Sequence, residues 1–187
     1  MTSFYSEEEL KELGLKAYGS NVKISRHACF YNTQNISVGN NVRIDDFCIF
    51  SGNIMLGSNI HIAAFTALYG GKDGIVIEDF ANLSSRIGVY SVSDDYSGET
   101  MTNPTIPDEY KNVHSAPVYI GRHAIIGSNA VVLPGVIIAE GSAFGAFSFI
   151  NKDSEPWSIN AGIPFRKIKD RSKNLLELEK KYLERFD

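Results

Sequence analysis

The chain has 187 residues, of which 43% are hydrophobic and 21% are charged, and its formal net charge at pH 7 is −4. This length fits one domain with small appendages, and the acidic balance argues against a surface that grips nucleic acid. The N-terminus lacks a basic stretch followed by an apolar run, and no segment is apolar for long enough to cross a bilayer, so we expect a cytoplasmic protein without membrane insertion.

The first predicted element is a helical cap over residues 1–17. Ser6 is followed by three glutamates, which is the pattern of a capping box at a helix N-terminus. Leu10, Leu13 and Leu15 supply the apolar side of this short helix.

From residue 18 onward the dominant pattern is a large apolar residue at every sixth position. Four positions after many of these comes a small or β-branched residue, as at Val22, Val42, Ile60, Thr66, Ala81, Ala124, Ala130 and Val136. A period of six fits neither the helix period of 3.6 nor a long alternating strand. It does fit a triangular solenoid in which each hexapeptide forms one short strand and one corner.

The repeat assigns the large residues to three faces, here called A, B and C, and predicts that they point inward and stack. Earlier repeats begin at Tyr18, Ile24 and Phe30. Face A takes Val38, Leu56, Ile77, Ile120 and Ile138; face B takes Ile44, Ile62, Leu83, Ile126 and Phe144; face C takes Phe50, Leu68, Val89, Val132 and Ile150. Cys29 and Cys48 lie inside repeats without metal-ligand spacing, so we expect both to be buried.

Two insertions interrupt the repeat. Three extra residues separate Leu68 from Ile77, and a loop over 90–118 is far too long for a corner. Long loops on a compact solenoid are usually functional. Polar and aromatic side chains of the loop are suited to binding a sugar, with Tyr90, Ser93, Tyr96 and Glu99 as the candidates. A merely solvated loop is the alternative, and we predict no metal site at its acids.

The final element predicted is an amphipathic helix within residues 171–187. Its apolar side chains are spaced as on one helix face: Leu175, Leu176, Leu178, Tyr182, Leu183 and Phe186. We expect this helix to cover an open end of the solenoid or to pack on a neighbour.

Two stretches resemble the hexapeptide-repeat acyltransferases, the family of galactoside, maltose, serine and xenobiotic acetyltransferases. They are Ile120-Gly-Arg-His-Ala-Ile-Ile-Gly-Ser-Asn-Ala and Ala161-Gly-Ile-Pro-Phe-Arg-Lys-Ile-Lys. The loop start, Tyr90-Ser-Val-Ser-Asp-Asp, and His61-Ile-Ala-Ala-Phe look like a branch associated with bacterial surface polysaccharides. The resemblance implies an all-β left-handed parallel β-helix over 18–170, a homotrimer, and acyl-CoA bound between adjacent solenoids.

The resemblance also implies where acetyl-CoA binds. Six residues match family positions that contact the cofactor: Ser128, Ala146, Asn151, Lys152, Arg166 and Lys169. Small side chains would let the pantetheine arm run close to the backbone. Arg166, Lys167, Lys169 and Arg171 would supply charge for the phosphates. The alternative is a solubilising basic stretch.

Acyl transfer from a thioester to a sugar hydroxyl or amine needs a general base and a donor that faces the developing oxyanion. Relatives in the resemblance carry a histidine at the start of the long loop, where this chain has Asp94. His61 is our candidate for the base, because nucleotide-sugar N-acetyltransferases resemble the chain there. We expect its ring to project from a corner and to meet Asp94 or Asp95 of the next chain.

Other readings of the sequence stay open. His114, where the loop rejoins the solenoid, is the second candidate base, whereas His123 fits corner packing or CoA contact and His27 a structural role. A non-catalytic structural solenoid is the alternative from another class of function. Carbonic anhydrase chemistry would need three zinc-binding histidines, and the spacing of His61, His114 and His123 does not fit.

Overall fold

The computed structural model describes residues 3–185. Two α-helices lie near its ends, α1 (Glu7–Glu12) and α2 (Leu175–Leu183), and short 3₁₀ turns cover Thr33–Asn35 and Asp108–Tyr110. The remaining regular structure consists of short strands: β1 (Ala17–Tyr18), β2 (Lys23–Ile24), β3 (Cys29–Tyr31), β4 (Ile36–Val38), β5 (Arg43–Ile44), β6 (Ile49–Leu56), β7 (His61–Ile62), β8 (Ala67–Ile77), β9 (Asn82–Leu83), β10 (Gly88–Tyr90), β11 (Val92–Ser93), β12 (His114–Ser115), β13 (Val118–Ile120), β14 (Ile125–Ile126), β15 (Val131–Val132), β16 (Ile137–Ile138), β17 (Ala143–Phe144), β18 (Phe149–Ile150), β19 (Ser158–Gly162) and β20 (Phe165–Asp170).

The predicted left-handed parallel β-helix is confirmed, and so is its register. On face A, Val38 pairs with Leu56, which pairs with Ile77, and the column continues to Ile120 and Ile138. The columns of faces B and C follow the same rule, each strand lying parallel to the strand one coil away. The six-residue period therefore fixed which residues stack on which.

Stacked aliphatic side chains form the core. Ile44, Ile62, Leu83 and Ile126 on face B are fully buried. Because each inward side chain contacts equivalents one coil above and below, burial is continuous along the axis. Adjacent coils approach so closely at some corners that a Cβ does not fit: one added at Gly39 would lie 2.4 Å from the carbonyl oxygen of Gly57.

Two strands are exceptions to the rule that each hexapeptide forms one short strand. β6 and β8 run without a break from face C onto face A, and they pair with each other along most of their length. The three extra residues before Ile77 lie inside β8. Cys29 was predicted wrongly. It precedes the inward Phe30 in a strand and therefore points outward, where it is exposed, whereas Cys48 is buried as expected.

The N-terminal helix is confirmed in a shorter form. α1 begins after Ser6, whose hydroxyl accepts a hydrogen bond from the backbone amide of Glu9, while the Glu9 side chain accepts one from the amide of Ser6. Both bonds of the predicted capping box are present, and Leu10 is buried. Residues 1 and 2 of the predicted cap lie outside the described residues.

The C-terminal helix is confirmed, but its position differs from the prediction. α2 packs along the side of its own solenoid, at the corner between faces A and B, and not across an open end. The Tyr182 hydroxyl lies 3.0 Å from Oδ1 of Asn59, and Glu179 contacts His123 and Arg122. Phe186, the last apolar residue of the predicted helix, lies outside the described residues.

Candidate active site

The long loop and face C enclose a cavity of about 710 Å³. Among the predicted acceptor-binding residues, Tyr90, Ser93 and Tyr96 line it together with Asp94. The other wall is apolar and comprises Val131, Leu133, Pro134 and Phe149. Burial raises the pKa of Tyr90, so its hydroxyl is a protonated donor at neutral pH. A concave site with one apolar wall and several polar groups is suited to a small ligand.

The two neighbouring acids of the loop do different things. Asp95 organises the turn, since its carboxylate accepts hydrogen bonds from the Ser97 amide and hydroxyl and from the Thr100 hydroxyl. These bonds, led by the one from the Ser97 amide, lower the pKa of Asp95. The Asp94 side chain is exposed, and within residues 3–185 its carboxylate has no hydrogen-bond partner. Asp94 is therefore the acid available to a ligand. Glu99 is exposed and does not line the cavity.

The loop is held by the insertion in β8. β11 and β12 pair antiparallel, with Ser93 opposite His114, and the Ser115 hydroxyl donates a short hydrogen bond to Asp73. Gly71 packs so closely under Val92 that a Cβ added to the glycine would lie 2.5 Å from the Val92 side chain. The inserted residues thus act as a platform that fixes the loop above face C. His114 is exposed and does not line the cavity.

His61 lies on the outer side of face B. It is in strand β7 and not at a corner as predicted, but its ring does project outward, with 42% of the side chain exposed. Its Nε2 lies 2.8 Å from Oδ2 of Asp45, and Oδ1 of Asp45 accepts a hydrogen bond of 2.7 Å from Nε of Arg43. Partial burial acts to raise the pKa of Asp45, but the bonds from His61 and Arg43 outweigh it and lower the pKa below its ordinary value.

Within one chain the structure does not bring His61 and Asp94 together. His61 lies on face B, whereas Asp94 lies in the loop beside face C, and no hydrogen bond or ion pair joins them in the described part of the chain. Each chain therefore presents two separate groups of polar residues.

The residues expected to contact CoA lie on the last coils. Ser128 and Ala146 are on adjacent coils at the corner between faces B and C, because the amide of Phe147 bonds to the carbonyl of Ser128. A Cβ added to Gly127 would lie 2.5 Å from the Ala146 amide, so the backbones there are in close contact. β19 and β20 form a hairpin on the final coil, where Arg166 pairs with Ala161.

The basic residues at this end are not equivalent. Arg166 and Lys169 are exposed, as are Asn151 and Lys152. Arg171, which was expected to supply charge for phosphates, instead donates to the carbonyls of His123 and Gly141. Lys167 is paired with Glu155 and Asp170, and the bond to Asp170 is the main reason that the pKa of Lys167 is raised to about 12. The predicted cluster of four cations is thus reduced to two.

The six-residue register of the sequence indicates that Asp45 lies near His61, although none of the motifs includes Asp45. In the six-residue register Arg43 pairs with His61, so the segment Arg43-Ile-Asp-Asp lies directly beside His61-Ile-Ala-Ala. Comparing the outward positions of adjacent coils would have placed an acid beside the histidine.

Among residues 3–185 there is no cluster of histidine, cysteine and acidic side chains that could hold a metal ion. Neither α-helix is long and apolar enough to span a bilayer.

Known proteins resemble this chain along most of its length. The family model for bacterial transferase hexapeptides (six repeats) matches residues 117–152. A dTDP-4-amino-4,6-dideoxy-D-glucose acyltransferase of Escherichia coli is 51% identical over 180 residues, which is 95% of this chain and 93% of the relative. Galactoside O-acetyltransferase of E. coli strain K12 is 30% identical over 144 residues, 74% of this chain and 66% of the relative.

Among solved structures, the N-acyltransferase AntD from Bacillus cereus superposes with a TM-score of 0.97 at 51% identity, covering 100% of this chain and 99% of that one, in a complex with dTDP and 3-hydroxybutyryl-CoA. The S84A variant of AntD holds dTDP-4-amino-4,6-dideoxyglucose and coenzyme A, and its D94A variant holds dTDP and coenzyme A. With its confirmed repeat register and these relatives, the chain is a member of the hexapeptide-repeat acyltransferase family and is a CoA-dependent sugar acyltransferase.

Proposed function

We propose that this enzyme transfers an acyl group from acyl-CoA to the amino group of a dTDP-linked 4-amino-4,6-dideoxy sugar. The observation that supports this best is Asp94, a carboxylate without a partner in the described chain, on the wall of the loop cavity. A carboxylate binds an amino group better than a hydroxyl, since the hydrogen bond is charge-assisted. Relatives that act on or hold this amino sugar agree with the choice of nitrogen over oxygen.

The acceptor site is built from the loop. Tyr90 and Tyr96 offer aromatic faces and hydroxyls to the sugar, and Ser93 adds a hydroxyl beside Asp94. Variants of AntD at S84 and D94 were solved with these ligands. The comparison therefore adds a second serine to the proposed acceptor site. This chain has Ser84 and Asp94 at those numbers. Ser84 follows β9, one residue after the inward Leu83, and we assign it to the same site.

CoA is proposed to lie along the corner formed by Ser128 and Ala146, with its phosphates toward Arg166 and Lys169. The side chains there are small, and the backbones of adjacent coils are in close contact. Arg166 and Lys169 are exposed, and neither forms an ion pair within residues 3–185. Asn151 and Lys152 complete the proposed contact surface.

The outer surface of face B changes from polar to apolar along the solenoid. Successive outward positions on adjacent coils are occupied by Arg43, His61, Asn82, Ile125 and Ala143. Polar groups therefore lie at the end toward the N-terminus and apolar groups toward the CoA end. His61 is the proposed general base.

Two chains are needed to bring His61 beside Asp94, and we propose the homotrimer implied by the family. A second observation supports association of copies through one corner of the solenoid. The corner between faces B and C carries Phe47, Phe65 and Phe147, here called the phenylalanine corner. These side chains are 52%, 51% and 63% exposed, and each has φ between 60° and 65°, which is unusual for a bulky residue.

For the donor we propose acetyl-CoA, with 3-hydroxybutyryl-CoA as the second candidate because AntD was solved with it. The two differ in the length and polarity of the acyl group. Relative kcat/KM with each donor decides between them.

The test uses purified enzyme, dTDP-4-amino-4,6-dideoxyglucose and each acyl-CoA, with free thiol and product mass as readouts. We expect stoichiometric CoA release and an N-acylated product. The matched control is dTDP-6-deoxyglucose, which has a hydroxyl in place of the amine and should react poorly. Failure of the amino sugar to stimulate CoA release from either donor would refute the proposed reaction and point to a different sugar acceptor or acyl donor.

A further inference from the structure

His61, the proposed base, is hydrogen-bonded to the carboxylate of Asp45 in the same chain. Nε2 of His61 lies 2.8 Å from Oδ2 of Asp45, and only 19% of the Asp45 side chain is exposed. The other carboxylate oxygen of Asp45 is held by Nε of Arg43 at 2.7 Å. All three residues belong to one subunit, on adjacent coils of face B.

We propose that Asp45 is the positioning residue for His61, so that Nε2 carries a proton donated to Asp45 and Nδ1 is the atom that accepts the proton of the substrate amine. This inference rests on the proposed function, in which His61 is the general base. It replaces the sequence-based expectation that Asp94 or Asp95 of a neighbouring chain fixes the tautomer of His61.

The chemistry of imidazole leads to this assignment. A neutral histidine has one donor and one acceptor nitrogen, and an ionised carboxylate can only accept. A carboxylate at Nε2 therefore places the proton there and leaves the lone pair on Nδ1. The same carboxylate stabilises the imidazolium that forms when Nδ1 takes up a proton.

The surroundings of Asp45 leave it free for this role. Its pKa is lowered, so it is ionised at neutral pH. The adjacent Asp46 is engaged elsewhere, since it accepts a short hydrogen bond from the Ser25 hydroxyl. The coil on the other side of β7 places the uncharged Asn82 next to His61. Arg43 is thus the charged group that contacts the His61–Asp45 pair in the described structure.

In the proposed transfer, Nδ1 of His61 carries the proton from the amine to the leaving thiolate. The neutral amine nitrogen attacks the thioester carbonyl carbon, and its proton passes to Nδ1 of His61. The C–N bond forms and the C–S bond breaks, so the acyl group leaves sulfur for nitrogen. The CoA thiolate takes the proton from Nδ1, and His61 returns to its starting tautomer. Asp45 keeps its negative charge throughout.

The first experiment is kinetic and uses the full enzyme. Asp45→Asn should lower kcat roughly tenfold or more with little change in the KM for acyl-CoA, because the asparagine neither fixes the tautomer nor stabilises the imidazolium. The rise of kcat with pH should move to lower pH, since the imidazolium form of the base loses the stabilising negative charge beside it. Asp45→Glu should restore part of the loss, and Asp46→Asn is the matched control, expected to retain kcat.

The second measurement needs no variant. Proton–nitrogen NMR of the wild-type enzyme labelled with ¹⁵N-histidine, assigned with His61→Ala, should show the Nε2–H tautomer of His61 at pH 8. An Nδ1–H tautomer would overturn the inference even if the asparagine variant failed to fold. Wild-type kcat and pH profile in Asp45→Asn, alongside a large loss in His61→Ala, would reject the positioning role alone. Wild-type kcat in His61→Ala would instead reject the proposed base itself.

Discussion

Nε2 of His123 lies 2.8 Å from Oε2 of Glu179, and this contact ties the C-terminal helix to the solenoid. The His123 side chain is only 7% exposed, and burial is the main reason that its pKa is lowered. The neutral ring therefore donates its Nε2 proton to the carboxylate. Arg122 contacts the other oxygen of Glu179 and stacks over Phe80 at 4.7 Å. His123 is a structural residue in this arrangement and has no place in the proposed chemistry.

Glu179→Ala should loosen α2 and lower the free energy of unfolding by about 1.5–3 kcal/mol, the range for hydrogen bonds that involve a charged group. His123 would lose the acceptor of its Nε2 proton, and Arg122 would keep only its bond to Asp79. Chemical denaturation and limited proteolysis near residue 175 measure the two effects. Glu177→Ala is the control, because Glu177 is an exposed residue of the same helix whose ion pair with Lys180 is local. Equal stability of the two variants would contradict the role given to Glu179.

His61→Ala should lower kcat by roughly a hundredfold or more, the usual contribution of a general base. The KM for acyl-CoA should change little, because the proposed cofactor contacts lie on later coils. Steady-state kinetics with the amino sugar provides the measurement. His114→Ala is the comparison variant, and a larger loss there would move the base to the long loop.

Asp94→Asn should raise the KM for the amino sugar and lower kcat/KM, since it removes the charge proposed to bind the amine. Mixing His61→Ala chains with Asp94→Asn chains tests the shared site. Some mixed trimers would contain a wild-type His61 opposite a wild-type Asp94, so activity should rise above that of either parent. Mixtures that never exceed the parents after verified subunit exchange would argue that each site lies within one chain.

Replacing both Arg166 and Lys169 by alanine should raise the KM for acyl-CoA while kcat stays close to wild type. Contacts far from the reacting carbon bind the ground state and the transition state alike. Initial rates at varied acyl-CoA concentration give both constants. Lys167→Ala is the matched control on the same strand, because Lys167 is already paired with Glu155 and Asp170. An unchanged KM in the double variant would remove these residues from the CoA site.

Gly39→Ala should destabilise the solenoid by about 1–3 kcal/mol, the usual cost of overpacking. An added methyl group would lie 2.4 Å from the Gly57 carbonyl oxygen, and backbone on both coils limits relaxation. Urea denaturation checks this value. Ser37→Ala, at an outward position of β4 two residues before Gly39, should change stability little.

Much of the fold follows from the sequence because the repeat is local. A large apolar residue at every sixth position determines which side chains point inward, and stacking of coils then pairs Val38 with Leu56 and Ile44 with Ile62. The capping box at Ser6 is equally local and was predicted correctly. The error at Cys29 came from not applying the register, since a position directly before the inward Phe30 points outward.

The tertiary structure decided which polar groups form contacts. Asp45 was not recognised as the partner of His61, because the two are sixteen residues apart and touch only when coils stack. The sequence suggests that Arg171 binds phosphate. In the folded chain, however, its guanidinium donates hydrogen bonds to the carbonyls of His123 and Gly141. A hydrophobic period constrains the inward positions of every coil at once, whereas each outward contact depends on side-chain length and direction between distant segments. For that reason the sequence determined the scaffold, and the structure assigned the partners of its functional residues.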